Sequence, residues 1–146
     1  MERKTFIKNC CITAVGLPLL GMGLDSCQAM HYATAIKKEN QLVVSRGEFT
    51  FESKGKIKNR KFVLLKTERE SFPICIYNEM EGVFTSALLK CTHQGCELNV
   101  GGGIYTCPCH GSEFTIKGEV LEGPADQNLK TYTTTSDNEN IYIQLS

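Results

Sequence analysis

The chain has 146 residues, with sixteen Lys plus Arg against sixteen Asp plus Glu, eight Cys, three His and no Trp. One domain is the natural size at this length, and hydrophobic residues at 41% exclude wholesale disorder. Balanced charge argues against nucleic acid as a partner, because phosphate binding needs a basic surplus; the cysteines fall short of the roughly 8–10% of a disulfide scaffold.

Residues 1–27 read as a signal peptide or membrane anchor. Residues 2–9, ERKTFIKN, are basic and polar, and residues 10–24, CCITAVGLPLLGMGL, carry no charge. That stretch is short of the roughly 20 apolar residues that span a bilayer and has a signal-peptide layout. Arg3-Lys4-Thr5-Phe6-Ile7-Lys8 resembles the twin-arginine export signal with Lys4 in place of the second Arg. That route carries folded proteins and suits a cofactor inserted before export. Leu24-Asp25-Ser26-Cys27 resembles a bacterial lipoprotein signal, which makes Cys27 the lipidation candidate. Cleavage near Ala29 and a retained anchor are the alternatives. Cys10 and Cys11 add apolar bulk to this segment. Residues 28–40 read as a linker that carries a solvated His31.

Residues 41–146 read as an all-β domain of short strands. Glu48-Phe49-Thr50-Phe51-Glu52 alternates polar and apolar, as a half-buried strand does. Residues 56–61 carry basic side chains on alternate positions and predict a solvated strand face or hairpin ahead of Phe62-Val63-Leu64-Leu65. Pro73-Ile74-Cys75-Ile76-Tyr77 and residues 83–89 predict further strands, separated by Asn78-Glu79-Met80-Glu81-Gly82. Ile141-Tyr142-Ile143-Gln144-Leu145 predicts an alternating last strand. This spacing suggests a sandwich or small barrel. No internal repeat is visible. Cys75 lies in an apolar strand and reads as a buried free thiol; Tyr105 and Tyr132 read as packing aromatics.

The chemistry concentrates in two segments. Cys91-Thr92-His93-Gln94-Gly95-Cys96 is followed, eleven positions on, by Cys107-Pro108-Cys109-His110-Gly111-Ser112. Cys91-x-His93 and Cys107-x-x-His110 each offer a thiolate and an imidazole. Two of each can hold one tetrahedral metal ion or an iron–sulfur cluster. Cys96 and Cys109 occupy matching places in the two loops.

This pair of motifs resembles the Rieske iron–sulfur family, in which two Cys hold one iron of a 2Fe-2S cluster and two His hold the other. The resemblance implies one 2Fe-2S cluster per chain, with Cys91 and Cys107 on the inner iron and His93 and His110 on the outer. It implies a Cys96–Cys109 disulfide clamping the loops, in the oxidising compartment that export supplies. Gly123-Pro124-Ala125 resembles the family's proline-containing loop over the cluster. For the fold it implies three antiparallel sheets with the cluster at one tip. Neutral imidazoles in place of charged thiolates make such a cluster easier to reduce, lifting potentials to about −150 to +300 mV. Gly95 and Gly111 let the loop backbone approach, so that amides donate to sulfur. Ser112 resembles the family serine that donates to a bridging sulfur.

Two positions depart from the high-potential pattern. Phe114 stands where those members carry a sulfur-donating Tyr, which predicts a potential below the family's upper end. Gln94 stands where quinol-oxidising members usually place Leu, so both residues lean away from a quinol-oxidising complex. The resemblance implies an exported electron-transfer protein, with no turnover of its own, on the periplasmic side of a bacterial membrane and anchored there by its N-terminal segment or a lipid. Its partner would be a cytochrome or an oxidoreductase subunit, within a quinol-oxidising complex, a molybdenum enzyme of the arsenite oxidase class, or as a free carrier. A Rieske-type ferredoxin of an oxygenase system is the rival; those are usually cytoplasmic and lack the two bridging Cys. A structural metal-binding lipoprotein is the other. An oxygenase needs a mononuclear iron site with two further His, and only His31 remains.

Overall fold

The computed structural model describes residues 29–145. The expected export segment, with Cys10, Cys11 and Cys27, lies outside the described residues. Fourteen strands follow in order: β1 (Ala35–Lys38), β2 (Gln41–Ser45), β3 (Thr50–Ser53), β4 (Lys56–Asn59), β5 (Phe62–Leu65), β6 (Ile74–Met80), β7 (Val83–Leu88), β8 (Asn99–Gly101), β9 (Ile104–Thr106), β10 (Glu113–Thr115), β11 (Val120–Glu122), β12 (Thr131–Tyr132), β13 (Thr134–Ser136) and β14 (Asn140–Gln144). A 3-10 turn, Arg46–Phe49, separates β2 from β3. Among the described residues no helix is long and apolar enough to cross a membrane.

Three four-stranded antiparallel sheets result, in the orders β1-β2-β14-β13, β12-β7-β6-β5 and β11-β10-β9-β8, with β3–β4 as a separate hairpin. The all-β, three-sheet reading of the sequence is correct. The sheet of β5, β6, β7 and β12 is the middle layer. Val63, Leu65, Ile74, Ile76, Phe84 and Leu88 pack toward Leu42, Val44, Ile141 and Ile143 of the first sheet. From the same strands Leu64, Cys75 and Ala87 pack toward Tyr105 and Phe114 of the third. A strand buried on both faces has no polar side to show, which is why FVLL and ICI read as apolar runs while β14 alternates (Ile141 and Ile143 buried, Tyr142 and Gln144 not).

Three local expectations need correction. The strand expected from Glu48 begins only at Thr50, because Ser45 caps the 3-10 turn by accepting from the Gly47 amide and Phe49 turns into the core. The separator expected at residues 78–82 shrinks to Glu81-Gly82: β6 runs on to Met80 through a register irregularity. The linker expected over residues 28–40 is structured from His31 onward. The Ala33 amide donates to the Leu64 carbonyl and the Leu64 amide to that of His31. β1 pairs with β2 over residues 35–38. β5 is an edge strand, and an edge presents unpaired backbone groups; this strap satisfies them. His31 is accordingly half-buried, with Nε2 2.6 Å from Glu48 Oε2, while the Thr34 amide reaches Glu48 Oε1. Burial pushes the Glu48 carboxyl up, but these hydrogen bonds hold it below its ordinary value.

Candidate metal centre

β7 delivers the chain to the first cysteine loop, residues 91–96, and β9 and β10 flank the second, residues 107–112. The two loops close identically. In the first, the Cys91 amide donates to the Cys96 carbonyl and the Gly95 amide to that of Cys91. In the second, the Cys107 amide donates to the Ser112 carbonyl and the Gly111 amide to that of Cys107. Gly95 and Gly111, with φ of 78° and 81°, supply the left-handed residue that each closure needs. The letters CTHQGC and CPCHGS hide this correspondence.

Cys91 and Cys107 sit in the core beneath the loops, 2% and 4% exposed. Their thiols hydrogen-bond to one another. The His93 and Gln94 amides point at the Cys91 sulfur, and the Cys109 and His110 amides at the Cys107 sulfur. Burial pushes the Cys91 thiol above its ordinary range. Burial also opposes ionisation of Cys107, but the Cys91 S–H and the two amides outweigh it and hold Cys107 low. Above them His93 and His110 are exposed, ring centroids 4.9 Å apart and nearly perpendicular.

Cys96 and Cys109 form a disulfide between the loops, with a Cα–Cα distance of 6.5 Å. Their sulfurs and that of Cys107 lie within 4.8 Å of one another. A disulfide offers no thiolate, so the available thiolates are Cys91 and Cys107. The third loop, at Gly123-Pro124, is tied to both cysteine loops. Fully buried Ser112 accepts the Ala125 amide at 2.9 Å through Oγ, which leaves its hydroxyl proton for another acceptor. Thr92 Oγ1 donates to the Gln127 carbonyl at 2.6 Å. Nothing in the sequence flags Thr92; only the meeting of two distant loops gives it a role. Pro124 itself is exposed.

Two contacting buried thiols beneath two outward imidazoles fit a group with an inner thiolate-bound and an outer imidazole-bound metal. Residues 48–133, more than half of the chain, match the Rieske [2Fe-2S] domain family. The chain belongs to that family. Its cofactor is one 2Fe-2S cluster, in place of the single tetrahedral ion that the spacing also allowed. The cytochrome b6-f complex iron-sulfur subunit of Synechococcus sp. (strain JA-2-3B'a(2-13)) is 43% identical over 53 residues, 35% of this chain and 31% of that protein. The subunit of the same name from Chlorobaculum thiosulfatiphilum is 36% identical over 64 residues, 42% of this chain and 35% of that one. The chain thus aligns with about a third of the length of these relatives. The plasma membrane Rieske protein PetC3 from Synechocystis PCC 6803 is 34% identical, with a TM-score of 0.51 over 57% of this chain and 86% of that structure.

The departures noted in the Rieske motifs are placed at once. Phe114 is fully buried among the residues that support the cysteine loops, and Gln94 is exposed at the tip. Cys75 is a free, fully buried thiol, pushed up to about 12 by burial against a hydrogen bond with Tyr105. Tyr105 is core. Tyr132 does more than pack: its hydroxyl donates to Glu70 Oε1 at 2.9 Å, beside the Lys130 ammonium that also binds that oxygen.

Proposed function

We propose that this chain is an exported, membrane-tethered one-electron carrier whose cluster is held by Cys91, His93, Cys107 and His110. One observation carries the reading: the two thiols meet in the core, and both imidazoles face solvent directly above them. When bound, the cluster supplies one-electron exchange at a potential raised by its two neutral ligands. The protein's share is to bury the thiolate side, to aim four amides at the two sulfurs and to leave the histidine edge open for a partner. Each imidazole keeps one ring nitrogen for solvent.

The proposed partner is a membrane quinol-oxidising complex of the cytochrome b6-f kind. The names of the relatives favour this partner over the molybdenum enzyme and the free carrier, against the lean of Phe114 and Gln94. The disulfide-linked tip speaks against an oxygenase ferredoxin. Low-temperature EPR of the dithionite-reduced protein, titrated electrochemically, tests the reading. A rhombic signal with mean g near that of histidine-ligated clusters, and a midpoint below about +250 mV, is expected. A colourless, EPR-silent protein containing zinc would sink it.

A further inference from the structure

The two exposed histidines have different surroundings. His110 sits in a loop, residues 107–112, that carries no Lys, Arg, Asp or Glu. His93 stands on the rim of an open groove that is walled by the first cysteine loop, by residues 69–72 and by Gln127 and Lys130. The Lys, Arg and Glu side chains lining that groove are Arg69, Glu70, Lys90 and Lys130, three cations against one acid. The acid is engaged within the protein. Glu70 Oε1 accepts from the Lys130 ammonium and from the Tyr132 hydroxyl, and its side chain is only 18% exposed, against 51% for Lys130.

The cations are left facing solvent. Lys90 is exposed and makes no ion pair among the described residues. Its ammonium lies 6.0 Å from the centre of the Phe72 ring. Its stem runs along the loop that carries His93: a Cβ at Gly95 would stand 3.3 Å from Lys90 Cε. Arg69 is exposed too, and its Nη1 donates to Asn40 Oδ1 and to the Leu145 carbonyl, neutral acceptors that leave its charge uncompensated. The Leu88 amide donates to the Lys130 carbonyl at 2.8 Å, which fixes Lys130 at the end of β7, two residues before Lys90. Glu68, Glu97 and Asp126 neighbour these segments but stand outside the lining; Glu97 lies across an isolated β-bridge from Lys90 without an ion pair to it.

Exposed positive charge with an aromatic wall, beside an outward imidazole, complements a surface of carboxylates. We propose that this groove docks a carboxylate-bearing face of the haem protein that takes the electron, and so seats that partner over His93. The proposal rests on the electron-carrier reading above and deepens it. One electron passes from the reduced centre to ferric haem, and no bond forms or breaks. Rim charges act within a Debye length and steer the encounter, so the effect is largest at low salt.

The test uses the full-length, cluster-loaded protein and two forms of one haem protein as probes: succinylated cytochrome c, which is acidic, and native cytochrome c, which is basic. Calorimetric titration at low ionic strength should show the succinylated form bound about tenfold or more tighter than the native form, and the difference should vanish at high salt. Lys90→Glu should weaken binding of the succinylated form about fivefold. Lys54→Glu, the same charge change in the exposed turn between β3 and β4, should leave it unaltered. Equal binding of both forms, or equal loss in both variants, overturns the proposal, since bulk charge alone would then account for the result. Electron transfer is read separately, from haem absorbance after mixing reduced protein with the ferric probe. Binding that depends on Lys90 without haem reduction keeps the groove and sinks the carrier reading. Haem reduction with binding indifferent to Lys90 keeps the carrier and sinks the groove.

Discussion

The two cores of this domain, on opposite faces of its middle sheet, differ in how they are held. The first, around Val44, Val63, Ile74, Ile141 and Ile143, is aliphatic with a few aromatics. It joins strands of four to seven residues whose burial alone stabilises them, at about 1.5–3 kcal/mol for each large side chain buried. The second lies under the metal site and includes Cys75, Cys91, Cys107 and Tyr105. Its outer sheet, β8 to β11, has strands of only three residues. Strands that short cannot be carried by burial, and this half is stapled instead. The Cys96–Cys109 disulfide joins its loops, and Ser112 and Thr92 tie them to the proline loop. A fold can thus delegate stability to one core and free the other to hold a redox group and expose it.

The sharpest way to separate the two halves is His110→Ala. It should abolish the 2Fe-2S absorption and EPR signals while circular dichroism of the first core persists. A cluster retained at full occupancy would remove His110 from the ligand set. Ile143→Ala should do the converse. It truncates a side chain with no exposed surface and should cost about 2–5 kcal/mol in denaturant unfolding with unchanged g-values. Altered g-values would mean that the cores are not independent. Cys96→Ser with Cys109→Ser opens a cross-link spanning thirteen positions and should cost about 3 kcal/mol. Cluster loss in a chelator should then be faster, and an unchanged lifetime would argue that the loops hold without the staple. Phe114→Tyr is the finest probe. If the added hydroxyl donates to a cysteine sulfur, a hydrogen bond of about 0.5–1.5 kcal/mol raises the midpoint by about 20–65 mV. No shift would show that the aromatic ring, and not the missing donor, sets the potential.

The same contrast decides what could be read from the letters. The apolar runs at residues 62–65 and 74–77 announced strands because a doubly buried strand needs them. Which face served which core was not visible, since both faces carry the same residue types. The strap at residues 31–38 reads as linker, since it carries too few large apolar side chains to mark a strand. Its place in the fold comes from backbone bonds to edge strands, and backbone groups are the same in every sequence. Groove and edge features share this property. About 650 Å³ of open groove beside His93 is walled by Phe72, Lys90 and Lys130 from three separate segments.

By itself the sequence determined which donor side chains the two loops offer. Cys-x-His and Cys-x-x-His, each followed by a Gly that the loop closure requires, are local chemistry at fixed spacing, and local spacing survives folding. Only the tertiary structure decided that the Cys91 and Cys107 thiols meet beneath the surface while His93 and His110 stay above it. It also decided that Thr92 and Ser112 anchor the third loop, and that the N-terminal strap satisfies the β5 edge. Each of these joins residues far apart in the chain, and such a pairing is fixed by which surfaces bury one another.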